Sequence, residues 1–173
     1  IYQYGGICIA DEIQIGFGRI GKSFWGFEYH GLEPDIVTVG KSIGNGHPLS
    51  AVITTREIAN NFNNGMEYFN SFGGNPVSSI IGHEVLNIIK DEDLQKNAKN
   101  VGSYLKEMLL DLQKDYSIIG DVRGEGLFLG IEIVDNNRSL KPLKKIAKYT
   151  ASNADILRAV SSSTENQILS FES

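Results

Sequence analysis

IVTVGKSIGNGHP, residues 36–48, joins a strand-forming run to a lysine held between glycines. Its first four residues are all β-branched and three are apolar, the composition of a short buried strand. The run stops at Gly40, and Lys41 follows at once. A strongly hydrated cation on a flexible stem therefore stands where an apolar strand emerges. Working outward, Gly5 and Gly6 precede ICIA, residues 7–10, an earlier apolar strand that leads into two acids, Asp11 and Glu12. AVITT, residues 51–55, reads as a third strand. Between the first two lie residues 15–34, where Gly16, Gly18, Gly21, Gly26 and Gly31 leave no room for a helix of normal length. That segment is expected to be a long irregular loop, and long ordered loops are usually functional.

An ordinary surface lysine has a pKa near ~10.4 and needs no further account. At the mouth of a buried strand, desolvation disfavours the ammonium and eases loss of its proton. A neutral lysine is a nucleophile toward an aldehyde, and the imine so formed is the usual way a protein holds pyridoxal phosphate. Such a site also needs an acid that keeps the pyridine nitrogen protonated. Asp11 qualifies, because a carboxylate buried at the end of an apolar strand requires a cationic partner; taken alone, it could equally cap a turn. The pair is the stronger signal. Both residues end consecutive apolar strands, and sites in open α/β sheets gather at the C-terminal strand edge.

Further along, residues 55–62 have the pattern of a short helix capped by Thr54 or Thr55. Pro76 suits the first turn of a helix reaching about Lys90, and a second helix follows over 91–114. Val77, Ile80, Ile81, Val85, Leu86 and Ile89 recur at helical spacing, as do Leu94, Ala98, Val101, Leu105, Met108 and Leu112, giving both helices a packing face. GDVRGEGLFLGIEIV, residues 120–134, reads as a glycine-rich turn and then an alternating strand over 127–134, the opening of a second α/β unit. A helix near 143–154 and a strand at 168–171 complete the expectation.

Composition bounds the function. The 173 residues are 41% hydrophobic and 21% charged, which suits a globular chain able to bury one core. A formal net charge of −5 and the lack of a basic run argue against nucleic acid or an acidic membrane as partner. Lone Cys8, within GICIA, is expected to be a buried, inert thiol. No apolar run is long enough to cross a bilayer. The first residue is not methionine and no signal-peptide pattern follows, so a fragment is expected. GFGRIGKS, residues 16–23, fits the phosphate-loop pattern GxxxxGK[ST]. That loop requires a preceding strand and a helix starting at its lysine, whereas Lys22 leads into SFWGFEYHG, too rich in glycine and aromatics to begin a long helix.

ADEIQIGFGR, PDIVTVGKSIGNGHP, FGGNP and GDVRGEGLFLGIE, in this order, resemble the class III (fold type I) pyridoxal-phosphate aminotransferases. Within that family GKSIGNGHP, GMEYFNSFGG and PVSS look most like the branch containing ethanolamine-phosphate phospho-lyases and alanine-glyoxylate aminotransferases. The resemblance covers residues 4–134 and implies that more than half of the family's chain, its N-terminal portion, is absent. It implies an α/β fold: the end of a large, mostly parallel-sheet domain over 1–90 and a truncated small C-terminal domain over 91–173.

By resemblance Lys41 is the Schiff-base lysine, Asp11 the partner of the pyridine nitrogen, and Gln14 a hydrogen-bond donor to the cofactor's phenolic oxygen. Ser71 stands where the family usually has threonine and would contact the cofactor phosphate of the neighbouring subunit, in a homodimer; without the other motifs it would read as part of a helix cap and turn. Arg19 belongs to the family's FGR loop, and His47 and Arg123 read as structural. No metal is implied. The expected reaction is transfer of an amino group between an amine or amino acid and a keto acid, with phospho-lyase elimination as the alternative and a non-catalytic dimerising fragment as a third. The compartment would be cytoplasmic or mitochondrial. The cofactor's stacking aromatic and its phosphate-binding helix would lie upstream of Ile1, and Ser170 falls where relatives acting on ordinary amino acids carry an arginine.

Overall fold

The computed structural model describes residues 1–135, so the helix expected near 143–154, the strand at 168–171 and Ser170 lie outside the described residues. Strand β1 (Ile9–Asp11) runs parallel to β2 (Ile36–Val39), with Ile9 opposite Ile36, Ala10 opposite Val37 and Asp11 opposite Thr38. On the other side of β2, β3 (Ala51–Thr54) returns antiparallel, giving the order β1-β2-β3. The β-branched run IVTV is thus the central strand, and Val37 and Val39 are buried on it. They pack with Phe17, and Ala10, Phe24, Trp25, Phe27, Ile43 and Ile89 close around them.

β1 begins two residues later than ICIA suggests and ends on Asp11. Cys8 is held by Asp35 instead: its amide donates to Asp35 Oδ2 at 2.7 Å, and its carbonyl accepts from the Asp35 and Ile36 amides. Its side chain is half-buried, not fully enclosed as the apolar run implied.

Parallel strands need a long crossover, commonly a helix. Here residues 12–35 make it with one four-residue helix, α1 (Gly26–Tyr29). Edge-to-face contacts of Phe17, Phe24 and Trp25, with centroids 4.8–5.6 Å apart, fill the space a longer helix would occupy. α2 (Arg56–Phe62) is capped by Thr55, whose hydroxyl accepts from the Ile58 amide. α3 (Pro76–Asp91) has Asn75 as its cap, accepting from Ser78 N at 3.1 Å, with proline in its first turn. Asp93, at φ 53°, separates α3 from α4 (Leu94–Asp115). The expected packing faces are only partly covered among the described residues: Ala98 is buried and Ile81, Val85 and Ile89 half-buried, while Val77, Ile80, Val101 and Met108 are exposed.

Residues 119–125 are strand, where the glycines suggested a turn. β4 (Ile119–Glu125) pairs with β5 (Phe128–Ile133) across Gly126 and Leu127. Gly124 tolerates the pairing because its missing Cβ leaves room for the Phe128 carbonyl.

The described residues divide into two compact units: Ile1–Leu109 with Arg123–Gly130, and Leu110–Val122 with residues 131–135. The first holds the three-stranded sheet. In the second, Gln113 Nε2 donates to the Ile119 and Gly120 carbonyls, the Val134 amide donates to Ile118 O at 2.9 Å, and Val122 and Val134 are buried. Among the described residues no helix is long and apolar enough to cross a membrane.

Candidate active site

The C-terminal edge of the parallel pair is where the chemistry collects. Asp11 ends β1; Lys41 follows Val39 by two residues at the same end of β2. Lys41 opens a single 3-10 turn, Lys41–Ile43, with φ 42°. A lysine at positive φ is strained by roughly 1 kcal/mol or more, and such strain concentrates at functional positions.

Asp11 and Lys41 are both exposed, so the described residues do not supply the apolar enclosure argued from the sequence. Asp11 Oδ1 accepts from the Ile13 amide at 3.1 Å, a short Asx-type turn that starts the loop carrying Gln14. Gln14 is exposed three residues beyond Asp11. Ser71, also exposed, sits in the turn before α3, where Asn70 Oδ1 accepts from the Phe72 and Gly73 amides. Asp11 and Lys41 thus share one strand edge, and Gln14 lies on the loop that leaves it. The flanks of Ser71 line a different cleft of about 500 Å³ with His47 and Ser78. His47 Nε2 lies 2.8 Å from Ser78 Oγ, tying the GNGHP turn to α3.

Two connections had no local signal in the sequence. Glu12, 2% exposed, accepts from the Gly26 amide at 2.8 Å and the Phe27 amide at 2.9 Å. A buried carboxylate requires such donors, and here they are the first amides of α1. Arg19 Nη2 donates to Ser42 Oγ at 2.8 Å, and both residues line a cleft of about 240 Å³ with Asn45, Phe17 and Ile89. Among the described residues, Asp11 and Lys41 line neither cleft.

The glycine loop is fixed by its own backbone and by charge. Gly18 N donates to Phe24 O, Gly21 N to Gly18 O and Lys22 N to Ile20 O. With these amides engaged, and only a four-residue helix following, residues 16–23 form no phosphate cradle. Lys22 Nζ instead meets Glu125 Oε2 at 3.1 Å and lies 5.2 Å from the Tyr29 ring centroid. The hydrogen bond from Lys22 holds the Glu125 carboxyl below the usual carboxylate range against some desolvation, and Lys106 adds to the effect. Reciprocally, the bond to Glu125 raises the Lys22 ammonium above the usual lysine range.

An amine and a carboxylate at one strand edge, with an amide close in sequence, are a donor set that fits pyridoxal phosphate: an amine for its aldehyde, a carboxylate for its ring nitrogen, an amide for its phenolic oxygen. The exposure of all three side chains leaves them accessible.

A family model described as aminotransferase class-III matches residues 2–158. Over 141 residues the chain is 52% identical to mitochondrial alanine-glyoxylate aminotransferase 2 of Homo sapiens, covering 82% of this chain and 27% of that protein. Over 142 residues it is 56% identical to alanine-glyoxylate aminotransferase 2 homolog 2 of Arabidopsis thaliana, also mitochondrial, covering 82% of this chain and 29% of that one. Among solved structures, a phospholyase from Arthrobacter in complex with phosphoethanolamine superposes with a TM-score of 0.77 at 43% identity, covering 82% of this chain and 33% of that one. The chain therefore spans about a third or less of the length of these relatives. With its motifs, its parallel strand pair and these matches agreeing, the chain belongs to the class-III aminotransferases.

Proposed function

We propose that the protein is a pyridoxal-phosphate-dependent transaminase in which Lys41 holds the cofactor and moves the proton at the reacting carbon. The observation that carries this reading is the register of the parallel pair. It puts Asp11 and a strained Lys41 at the same ends of adjacent strands. When bound, pyridoxal phosphate supplies an electron-accepting ring that stabilises negative charge on the substrate carbon beside nitrogen. Asp11 holds the proton at the ring nitrogen, Gln14 donates to the phenolic oxygen, and the freed amine of Lys41 takes and returns the substrate proton. Ser71 donates to a phosphate oxygen of the neighbouring subunit's cofactor, which makes the working unit a homodimer. Residues 1–90 and 91–173 belong to the large and small domains of this whole protein, and the mitochondrial names of two relatives favour that compartment.

The test is the absorbance of the lysine-bound cofactor on adding pyridoxal phosphate to the whole protein. The band is expected in the wild type and absent in Lys41→Ala; an equal band in both overturns the reading. A second reading, elimination of phosphate from an amino-alcohol phosphate, is favoured by the Arthrobacter likeness. Phosphate released from phosphoethanolamine without any keto acid selects it over transamination.

A further inference from the structure

The 3-10 turn that carries Lys41 is closed by its own backbone, with the Ile43 amide donating to Gly40 O and the Gly44 and Asn45 amides to Lys41 O. Its Gly40 cap offers no side-chain hydrogen bond, and Lys41 itself stands at φ 42°. A strained residue persists only where its surroundings hold it. A side-chain hold on that turn comes from 23 residues away, where Arg19 Nη2 donates to the hydroxyl of Ser42, the next residue after Lys41. The base of that arginine is itself fixed. Its carbonyl accepts from the Leu127 amide at 2.9 Å, and Gly126 lies so close to Arg19 and Ile20 that a Cβ there would overlap their backbone.

Resting on the proposed role of Lys41, we propose that Arg19 is a positioning residue for that lysine, acting through Ser42 to keep the Lys41–Ile43 turn in its strained form. The bond is one a guanidinium makes well, since its rigid fork loses little freedom on binding a hydroxyl. Ser42 accepts it and keeps its own proton for another partner. The strained backbone, in turn, sets where the lysine stem leaves the strand edge, so loss of the bond lets the amine wander from the aldehyde it must meet. A displacement of the reacting group by an ångström is enough to slow a step by one to two orders of magnitude.

The experiment measures how fast the whole apoprotein captures added pyridoxal phosphate on Lys41, trapped by borohydride and located by peptide mass. Arg19→Ala and Ser42→Ala should each slow capture roughly tenfold. The double variant should be no slower than either single, because both remove one bond. Arg19→Lys, which keeps a donor, should recover part of the rate. In turnover, kcat per borohydride-trappable Lys41 site should fall with KM little changed, the mark of an interaction made only in the transition state, and counting sites removes any loss of folded protein. Capture at the wild-type rate in both single variants, or a double variant slowed by the product of the two, overturns the inference while leaving the lysine assignment standing. Capture undiminished in Lys41→Ala overturns the assignment and the inference with it.

Discussion

Glu12 Oε2 accepts a hydrogen bond from the Gly26 amide at 2.8 Å, so a carboxylate beside the candidate site fastens the far end of the glycine loop. The companion bond from Phe27 N means that both oxygens are engaged. Bonds to a charged acceptor contribute about 1.5–3 kcal/mol, and truncation leaves buried amides without partners. Glu12→Ala should therefore lower unfolding stability by about 3 kcal/mol, with Glu12→Gln losing less because its amide oxygen still accepts. Chemical denaturation of the whole protein at neutral pH measures both; equal stability of wild type and Glu12→Ala would contradict the role.

Lys41 is expected to show a conflict between stability and chemistry. Glycine tolerates φ 42° without the Cβ penalty, so Lys41→Gly should be more stable than Lys41→Ala by about 1 kcal/mol. Neither variant should capture the cofactor. A thermal melt of the two apoproteins side by side decides the first point, and absorbance decides the second.

The Lys22–Glu125 pair should stabilise the fold only inside a pH window. Glu125 titrates below its ordinary value when folded, so its contribution is present above the unfolded carboxylate pKa of about 4.3 and is lost as pH falls through the lower folded value. Lys22 is shifted upward, so its contribution is full below about 10.4 and is lost as pH rises through the raised folded value. The difference in melting temperature between wild type and Glu125→Gln should be greatest near neutral pH and vanish in strong acid. The pair is partly exposed, so the difference should be small and shrink further in high salt.

Gly102→Ala should destabilise, against the usual effect of alanine in a helix. Replacing a mid-helix glycine by alanine ordinarily gains about 1 kcal/mol. Here the new methyl would overlap the Gly126 carbonyl, and backbone cannot step aside as a flexible side chain can. A loss of about 2 kcal/mol in urea unfolding is expected, and a gain would show that α4 is free to shift.

Much of the strand edge was legible because it is written locally. Periodicity located IVTV, AVITT and the helices after Thr55 and Asn75 to within a residue or two, since caps and prolines mark their starts. Asp11 and Lys41 could be paired from strand order alone. What escaped depends on contacts between distant residues: the donors to Glu12 lie 14 and 15 positions away, and Arg19 reaches Ser42 across 23. The strand at 119–125 was missed for the same reason, because its glycines signal a turn until β5 is laid against them. The enclosure expected for Lys41 is a different matter: the described residues do not supply it, because an apolar strand buries its own side chains, not those that follow its end.

Gly126 is pressed on two sides by main chain, with α4 at Gly102 against one and the Arg19–Ile20 peptide against the other. Three backbones therefore stack with no side chain as a spacer, and such a seam has a single fit. Sliding α4 along its axis by one position, or rolling it by a fraction of a turn, would drive Val101 or Ser103 into the gap that Gly102 leaves. The seam thus works as an indexing notch, setting the helix and the arginine loop to one common zero.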